Sequence, residues 1–317
     1  MAKYLVTGGA GFIGSHLVED LLKQGESVVV LDNFSNGKQE NIDAALAGIS
    51  NPDFKLVKGD ICDLDACKKA CNGVDYVLHQ AALHSVPKSM KNPYDYNHVN
   101  IDGTLNLLNV SGKCGVKRFV MASSSSVYGN TDVFPQREDI YPRPISPYAL
   151  SKLAGECYCR IFSENFGVEA VALRYFNVFG PRQALDDEYA VVIPKFINSI
   201  LNDEQPPIFG DGKQSRDFTF IKNVVQANLK AATTEGVSGE VFNVACGEDN
   251  TVLSIAELIN KFTGKSITPK FLPVRQGDVY KSLADISKIK AMLKFEPEFG
   301  FEQGMKITFE WFKENTK

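Results

Sequence analysis

Tyr148 and Lys152 stand four residues apart in PYALSK, within a run that reads as helix, so both side chains share one helical face. A phenol ionises near pH 10 in water and is a poor base at neutrality. An ammonium one helical turn away, with a second positive charge nearby, would favour the phenolate and lower that pKa. The pair then becomes a general base with its tuner. Tyr-x-x-x-Lys is common by chance, and a solvated surface pair is the plainer reading until the context is added. Upstream, SSSSVYGN places four hydroxyls at 123–126 directly after KRFVMA, an apolar run of the kind that forms a buried strand. A hydroxyl leaving the end of such a strand can bridge the tyrosine and a substrate oxygen.

A second constellation lies at the start of the chain. TGGAGFIG follows one apolar run and opens the first helical pattern, with Gly8, Gly11 and Gly14 spaced three apart. Gly9, Gly11 and Gly14 also satisfy G-x-G-x-x-G. Such glycines let the backbone turn tightly, approach a pyrophosphate and pack helix against strand, with the phosphate at the helix N-terminus. Asp32 closes the second strand 18 residues beyond Gly14 and is followed by Asn33, not by an arginine. A carboxylate there hydrogen-bonds ribose hydroxyls and repels a 2′-phosphate, so NAD is favoured over NADP. The nicotinamide ring of NAD+ would be the second positive charge beside Tyr148.

The elements that must position these residues alternate regularly in the first half. KYLVT, SVVVL, FKLVKGD, DYVLHQ, KRFVMAS and VEAVALRYF read as strands, the first five rich in Val, Leu, Phe and Tyr as buried strands are. Between them lie the helical patterns GFIGSHLVEDLLKQ, residues 39–47, DLDACKKACN, NHVNIDGTLNLLNVSGKC and ISPYALSKLAGECYCRIFSENFG. This alternation predicts an α/β fold, a Rossmann-type doubly wound parallel sheet with right-handed crossovers. After Phe176 the rhythm breaks into long Pro-, Gly- and Asp-rich connectors with short elements between them. The reading is a smaller, irregular α+β C-terminal substrate lobe. The NAD-binding domain covers 1–175, rejoined by about 218–243, and the lobe covers 176–217 and 244–317. The serine run therefore leaves the carboxyl edge of the sheet, where ligands bind in open α/β sheets.

Composition bounds the rest. The chain has 317 residues, 44% hydrophobic and 23% charged, with a net charge of -4. A large core is available, and the acidic balance argues against nucleic-acid partners. No apolar run approaches the ~20 residues of a membrane span, and MAKYLVTGG enters a strand without room for a signal peptide. A cytoplasmic protein is expected. The seven cysteines and four histidines show no zinc-ligand spacing, so no metal site is expected and reduced thiols are. His79, at a strand end, reads as a hydrogen-bonded core residue.

The chain resembles the extended short-chain dehydrogenase/reductases, specifically the nucleotide-sugar 4-epimerases. The resemblance runs through TGGAGFIG, LDNFSNG, GDI, HQAA, SSSSVYG, SPYALSK, RYFNVFGPRQ, AVVIPKF, FGDGKQSRDFTFI and RQGDVYKSLAD. SVPKSMKNP, RYFNVFGPRQ and AVVIPKF look most like the UDP-N-acetylglucosamine 4-epimerase group. It implies Ser124 as catalytic serine, Tyr148 as base, and Lys152 as its tuner and the ligand of nicotinamide ribose. It extends the NAD cradle from the glycines to Phe12, Ile13, Asp32, Asn33, Asp60, Ile61, Gln80, Ala81, Ala82 and Tyr175. Ser125 and Ser126 stand where related 4,6-dehydratases carry Asp-Glu, and serines cannot perform that elimination. The sugar would meet Ser85, Ser124, Ser125, Ser126, Tyr148, Asn177, Gln183 and Val191. The nucleotide would meet Phe209, Arg216, Arg275 and Asp278, with a salt bridge to Asp217 or Asp278 as the plainer role for either arginine. Ser282 would line the wall beside the C2 substituent, where a small residue leaves room for an N-acetyl group.

The implied activity is redox-neutral epimerisation at C4 of a UDP-hexose through a 4-keto sugar. UDP-GlcNAc/UDP-GalNAc and UDP-Glc/UDP-Gal are the expected pairs. A homodimer would form through the helices around 97–111 and 146–166. The alternatives are a uronate epimerase or decarboxylase, which would want an extra cation for the C6 carboxylate, and a non-catalytic NAD-sensing regulator.

Overall fold

The strands β1 (Lys3–Thr7), β2 (Ser27–Asp32), β3 (Phe54–Lys58), β4 (Tyr76–His79), β5 (Arg118–Ser124) and β6 (Ala170–Tyr175) fall on the six runs expected from sequence. These come from a computed structural model that describes residues 1–185, 192–274 and 280–315. Five of the crossovers are helical: α1 (Phe12–Lys23), α2 (Gln39–Leu46), α3 (Leu64–Cys71), then α4 (Val86–Lys91), α5 (Pro93–Asn97) and α6 (Gly103–Cys114), then α7 (Pro147–Asn165). Beyond β6 come β7 (Val178–Phe179), α8 (Val192–Leu201), β8 (Pro207–Phe209), β9 (Ser215–Arg216), β10 (Thr219–Phe220) and α9 (Ile221–Thr233). The chain ends with β11 (Val241–Val244), β12 (Asn250–Thr251), α10 (Val252–Thr263), β13 (Lys270–Leu272), β14 (Lys281–Ser282), α11 (Ser287–Leu293) and α12 (Phe301–Asn315).

The main sheet has the order β11-β6-β5-β4-β1-β2-β3, and all its pairings are parallel. β2 and β6 are buried along their whole length, as continuous apolar strands between two helical layers must be. Strand order reverses between β1 and β4. Their carboxyl ends, Thr7 and His79, therefore open a crevice at the switch point. The remaining strands form three small sheets, β10-β7, β12-β9-β14 and β13-β8. Of these, β9 and β14 bring Arg216 and Ser282 to that carboxyl edge, and the sheets sit in an irregular α+β region with α8, α10 and α12.

One expected element differs. The pattern over 97–114 reads as a single helix, but the chain passes from α5 through a π-helical turn, His98–Asp102, into α6. The side chain of Asn100, on that turn, faces inward: Nδ2 donates to Leu83 O (2.9 Å) and Ser151 Oγ (2.9 Å), and Oδ1 accepts from Leu83 N (2.8 Å). The extra residue in the turn delivers a polar side chain to the interior, a common use of π-bulges at functional sites. α4 was not foreseen; Ser85 caps it, accepting from Lys88 N.

Two buried charges tie distant segments together. Arg174 on β6 forms a bidentate pair with Glu156 on α7, Nε to Oε1 at 2.9 Å and Nη2 to Oε2 at 2.8 Å, both side chains 4% exposed. Asp217, after β9, accepts from the backbone N–H groups of Cys246 (3.0 Å), Gly247 (3.0 Å) and Ala284 (3.2 Å). All seven cysteines are free thiols, and burial pushes those of Cys67 and Cys71 up to about 12. Among the described residues there is no His/Cys/Asp/Glu group that could hold a metal ion, and no helix long and apolar enough to cross a membrane.

Candidate active site

A single cleft of about 1960 Å³ runs along the carboxyl edge from the glycine turn to the region of β14. At one end Gly11 caps α1 in an extended conformation. A Cβ on Gly14 would stand 2.1 Å from the carbonyl oxygen of Gly8, and one on Gly8, at φ +67°, would meet Ala81 N at 2.8 Å. The backbone is thus as close as backbones come, and the first turn of α1 is open to a phosphate. Asp32 Oδ2 accepts from Ala10 N (2.9 Å) and Oδ1 from Phe34 N (2.8 Å). The carboxylate holds the glycine turn and keeps acceptor capacity towards the cleft. Asn33, Asp60 and Ile61 line the wall beside it, and Asn33 Nδ2 donates to Asp60 Oδ2 (2.8 Å). The residues present fit a dinucleotide of the NAD type.

Substituting Asp32→Ala should weaken NAD binding about 10- to 100-fold, the worth of hydrogen bonds to a charged group. The preference over NADP should narrow by a similar factor. Calorimetric titration with both dinucleotides reads it; a parent protein that binds NADP as tightly as NAD would remove the basis of the argument.

Behind the centre of the cleft lies a chain of buried hydrogen bonds. Thr104 Oγ1 donates its one proton to Asn100 O (2.6 Å), so at 2.9 Å it accepts from His79 Nε2. His79 Nδ1 is then the acceptor for Thr7 Oγ1 (2.7 Å), which accepts in turn from Ala81 N (3.2 Å). Burial lowers His79 to about 3, keeping it neutral in this tautomer. His79 is the core residue expected from sequence, and the chain links β1 to Asn100 and, through Ser151, to α7. Gln80, Ala81, Ala82 and Tyr175 form the wall above; the Tyr175 hydroxyl lies 3.0 Å from Asn228 Oδ1 and 3.2 Å from Gln80 Oε1.

On α7, capped by Ser146 with Pro147 in its first turn, Tyr148 and Lys152 both face the cleft. Lys152 is buried, donates from Nζ to Ala122 O at 2.8 Å, and sits 5.9 Å from the centre of the Tyr148 ring. Burial lowers its pKa to about 8. Desolvation raises the Tyr148 pKa, a hydrogen bond with Ser124 opposes that rise, and the Tyr96 ring nearby adds to it. The physical reason is that the same burial that brings Lys152 close also strips water from the phenol.

The serine run divides its work. Ser123 donates to Glu156 beneath the sheet edge. Ser126 donates to Ser124 Oγ twice, from its hydroxyl (2.9 Å) and its N–H (3.2 Å). With those acceptor positions filled, the Ser124 proton is left to point at Tyr148. Ser125 lines the cleft beside them.

Towards β14 the walls are polar, mostly amides and hydroxyls with Arg216 among them. Asn177, at φ +30°, donates from Nδ2 to Ser282 Oγ (3.0 Å) and Asp217 O (3.1 Å). Gln183 donates to Val178 O (3.0 Å), while its buried Oε1 has no hydrogen-bond partner among the described residues. Ser85 and Arg216 line the same cleft; Arg216 Nη1 donates to Ser215 O (2.8 Å) and Tyr280 O (3.1 Å). Phe209 is not among the lining residues: β8 pairs with β13 in a sheet of its own, with Phe209 opposite Leu272. Val191, Arg275 and Asp278 lie outside the described residues. Sequence reading missed Lys88, Gln136, Trp311 and Asn315, which also line the cleft. Lys88 sits within SVPKSMKNP, which does not single it out, the other three carry no local motif, and the last two arrive on α12 from the far end of the chain.

A family model described as the NAD dependent epimerase/dehydratase family matches residues 4–245. Among solved structures, the UDP-N-acetylglucosamine 4-epimerase from Methanobrevibacter ruminantium, in complex with UDP-N-acetylmuramic acid, is 42% identical. It aligns over 99% of both chains with a TM-score of 0.93. The UDP-glucose 4-epimerase of Thermotoga maritima with UDP-glucose is 39% identical over 99% of this chain and 100% of its own, TM-score 0.92. The UDP-glucuronic acid 4-epimerase from Bacillus cereus, with UDP-glucuronic acid and NAD, is 36% identical over 99% of both, TM-score 0.90.

Proposed function

The chain belongs to the NAD dependent epimerase/dehydratase family, an enzyme of the UDP-sugar 4-epimerase kind with NAD as its cofactor, and from that premise we propose that it interconverts UDP-GlcNAc and UDP-GalNAc, accepting UDP-Glc and UDP-Gal as well. The observation that carries this reading is the sugar end of the cleft. A small buried Ser282 stands in its wall, and the buried Oε1 of Gln183, without a hydrogen-bond partner among the described residues, could accept from a donor group on the sugar. An acetamido N–H is such a group. A uronate would need a cation for its carboxylate. Arg182, the arginine nearest Gln183 in sequence, is engaged by Glu19, by His16 Nδ1 (2.9 Å) and by Ser15 O (3.3 Å). With Arg182 so engaged the neutral pair is the reading we favour, although Lys88 also lines the cleft beside Ser85.

In the proposed reaction Tyr148 removes the proton from the C4 hydroxyl, with Ser124 bridging the two oxygens. NAD supplies, when bound, the reversible oxidation at C4. Lys152, held by Ala122 O, orients the ribose end and keeps positive charge near the phenolate. Arg216 anchors the diphosphate as a bidentate donor, so that the sugar can turn and present its other face while the nucleotide stays fixed. Tyr148 then returns the proton. The working division is a dinucleotide domain of 1–175 and about 218–243 and a substrate lobe of 176–217 and 244–317. We also propose a cytoplasmic homodimer. Exposed Leu150 and Ile161 on α7, 54% and 40% exposed, support the dimer, and sedimentation at micromolar concentration tests it, a monomer refuting it.

Ser282→Tyr tests the substrate assignment. It should lower activity on the N-acetylated pair ~100-fold through loss of space, while UDP-Glc/UDP-Gal lose less than tenfold from the broken Asn177 contact. Epimers of each pair are resolved by NMR. Equal losses on both pairs, or a parent protein active only on uronates, would overturn the assignment.

A further inference from the structure

We propose that Gln136 is a further sugar-recognition residue, its side-chain amide hydrogen-bonding a polar substituent of the bound hexose. The inference rests on the UDP-hexose reading above. Gln136 follows the cis Phe134–Pro135 bond in a loop between β5 and α7, and it has no motif around it. Its backbone is nonetheless fixed as firmly as a strand. Gln136 N donates to Leu283 O (2.7 Å), and Gln136 O accepts from Asp285 N (2.8 Å) and from Asn243 Nδ2 (2.9 Å). Asn243 is itself held by the hydroxyl of Tyr128 (2.7 Å).

The pairing is parallel, with Gln136 opposite Ala284. Residues two apart on an extended chain share a face, so Gln136 lies on the face of Ala284 and Ser282. It lines the same cleft as Ser282 and Asn177. It is 2% exposed, and its Oε1 is buried without a hydrogen-bond partner. A buried amide oxygen that no described residue satisfies, on a rigid backbone at a cleft wall, is an acceptor kept for something that enters the cleft. Removing it from a folded protein should be neutral or favourable for stability, because no bond is lost. Removing it from a complex should cost binding.

The test is Gln136→Leu, which keeps the volume and deletes the amide. Unfolding should occur at the same or a higher temperature than in the parent. The inhibition constant of UDP, which has no sugar, should be unchanged. kcat/KM should fall at least tenfold on every UDP-hexose the parent turns over. A loss concentrated on the N-acetylated pair assigns the amide to the acetamido group, and an equal loss on both pairs assigns it to a hydroxyl; either supports the proposal. A kcat/KM within twofold of the parent on all sugars overturns it. So does a parallel change in UDP inhibition, which would mark a general distortion. Because the comparison uses whichever sugars the parent accepts, failure of the N-acetyl assignment leaves this test readable.

Discussion

Replacing Tyr148 with Phe should leave NAD in place and reduce turnover by about 10²–10⁴-fold, the range general acid–base catalysis contributes by itself. The phenyl ring keeps its edge-on contact with Tyr96, 6.4 Å between ring centres, so the cleft should keep its shape. What disappears is the oxygen that Ser124 faces. Desolvation raises the Tyr148 pKa. kcat/KM should therefore rise with pH across the range where this phenol ionises. That ascending limb should vanish in the variant. Steady-state rates over a pH series, with NAD content measured on the same samples, check both statements. Turnover within a few-fold of the parent would take Tyr148 out of the chemistry.

Glu156→Leu should be the most damaging change away from the cleft, costing about 3–5 kcal/mol because it leaves a buried guanidinium without its counter-ion. Arg174 is 4% exposed on its side chain, and its Nη1 already lacks a hydrogen-bond partner among the described residues. What remains is the Tyr128 side chain, its ring 4.7 Å away, and a longer-range attraction to the Glu138 carboxylate, weaker than two charged hydrogen bonds. Ser123 loses its acceptor as well. Denaturant titration of the variant reads the loss. The double change Glu156→Leu with Arg174→Met should recover most of it, since replacing a buried pair by apolar side chains is often neutral. A single variant as stable as its parent would mean that the pair contributes nothing.

The two changes separate the reacting groups from the frame that holds them. Ser123 and Ser124 are neighbours at the end of one strand, yet one serves the Glu156–Arg174 pair and the other the tyrosine. Four serines in succession are what a strand end needs when it must satisfy a buried carboxylate, relay a proton and hold the relay in position.

Much of this was written in the chain itself. The strand runs, the glycine turn with Asp32 and the Tyr148–Lys152 spacing depend on periodicities of two and 3.6 residues and on backbone freedom at single positions. Those are local properties, and the sheet and its carboxyl-edge cleft follow from them with short right-handed crossovers. Tertiary structure decided the rest. Asn100 turns inward through a π-helical turn because Leu83 and Ser151 come to meet it. The protein's own groups raise the Tyr148 pKa because the desolvation of a phenol depends on everything packed around it. Gln136 joins the cleft because residues 283–285 pair with it across some 150 positions of chain, and Trp311 because α12 returns to the cleft mouth. Burial and pairing between distant segments leave no periodic mark on a sequence, whereas turns, caps and alternating faces must be encoded where they occur.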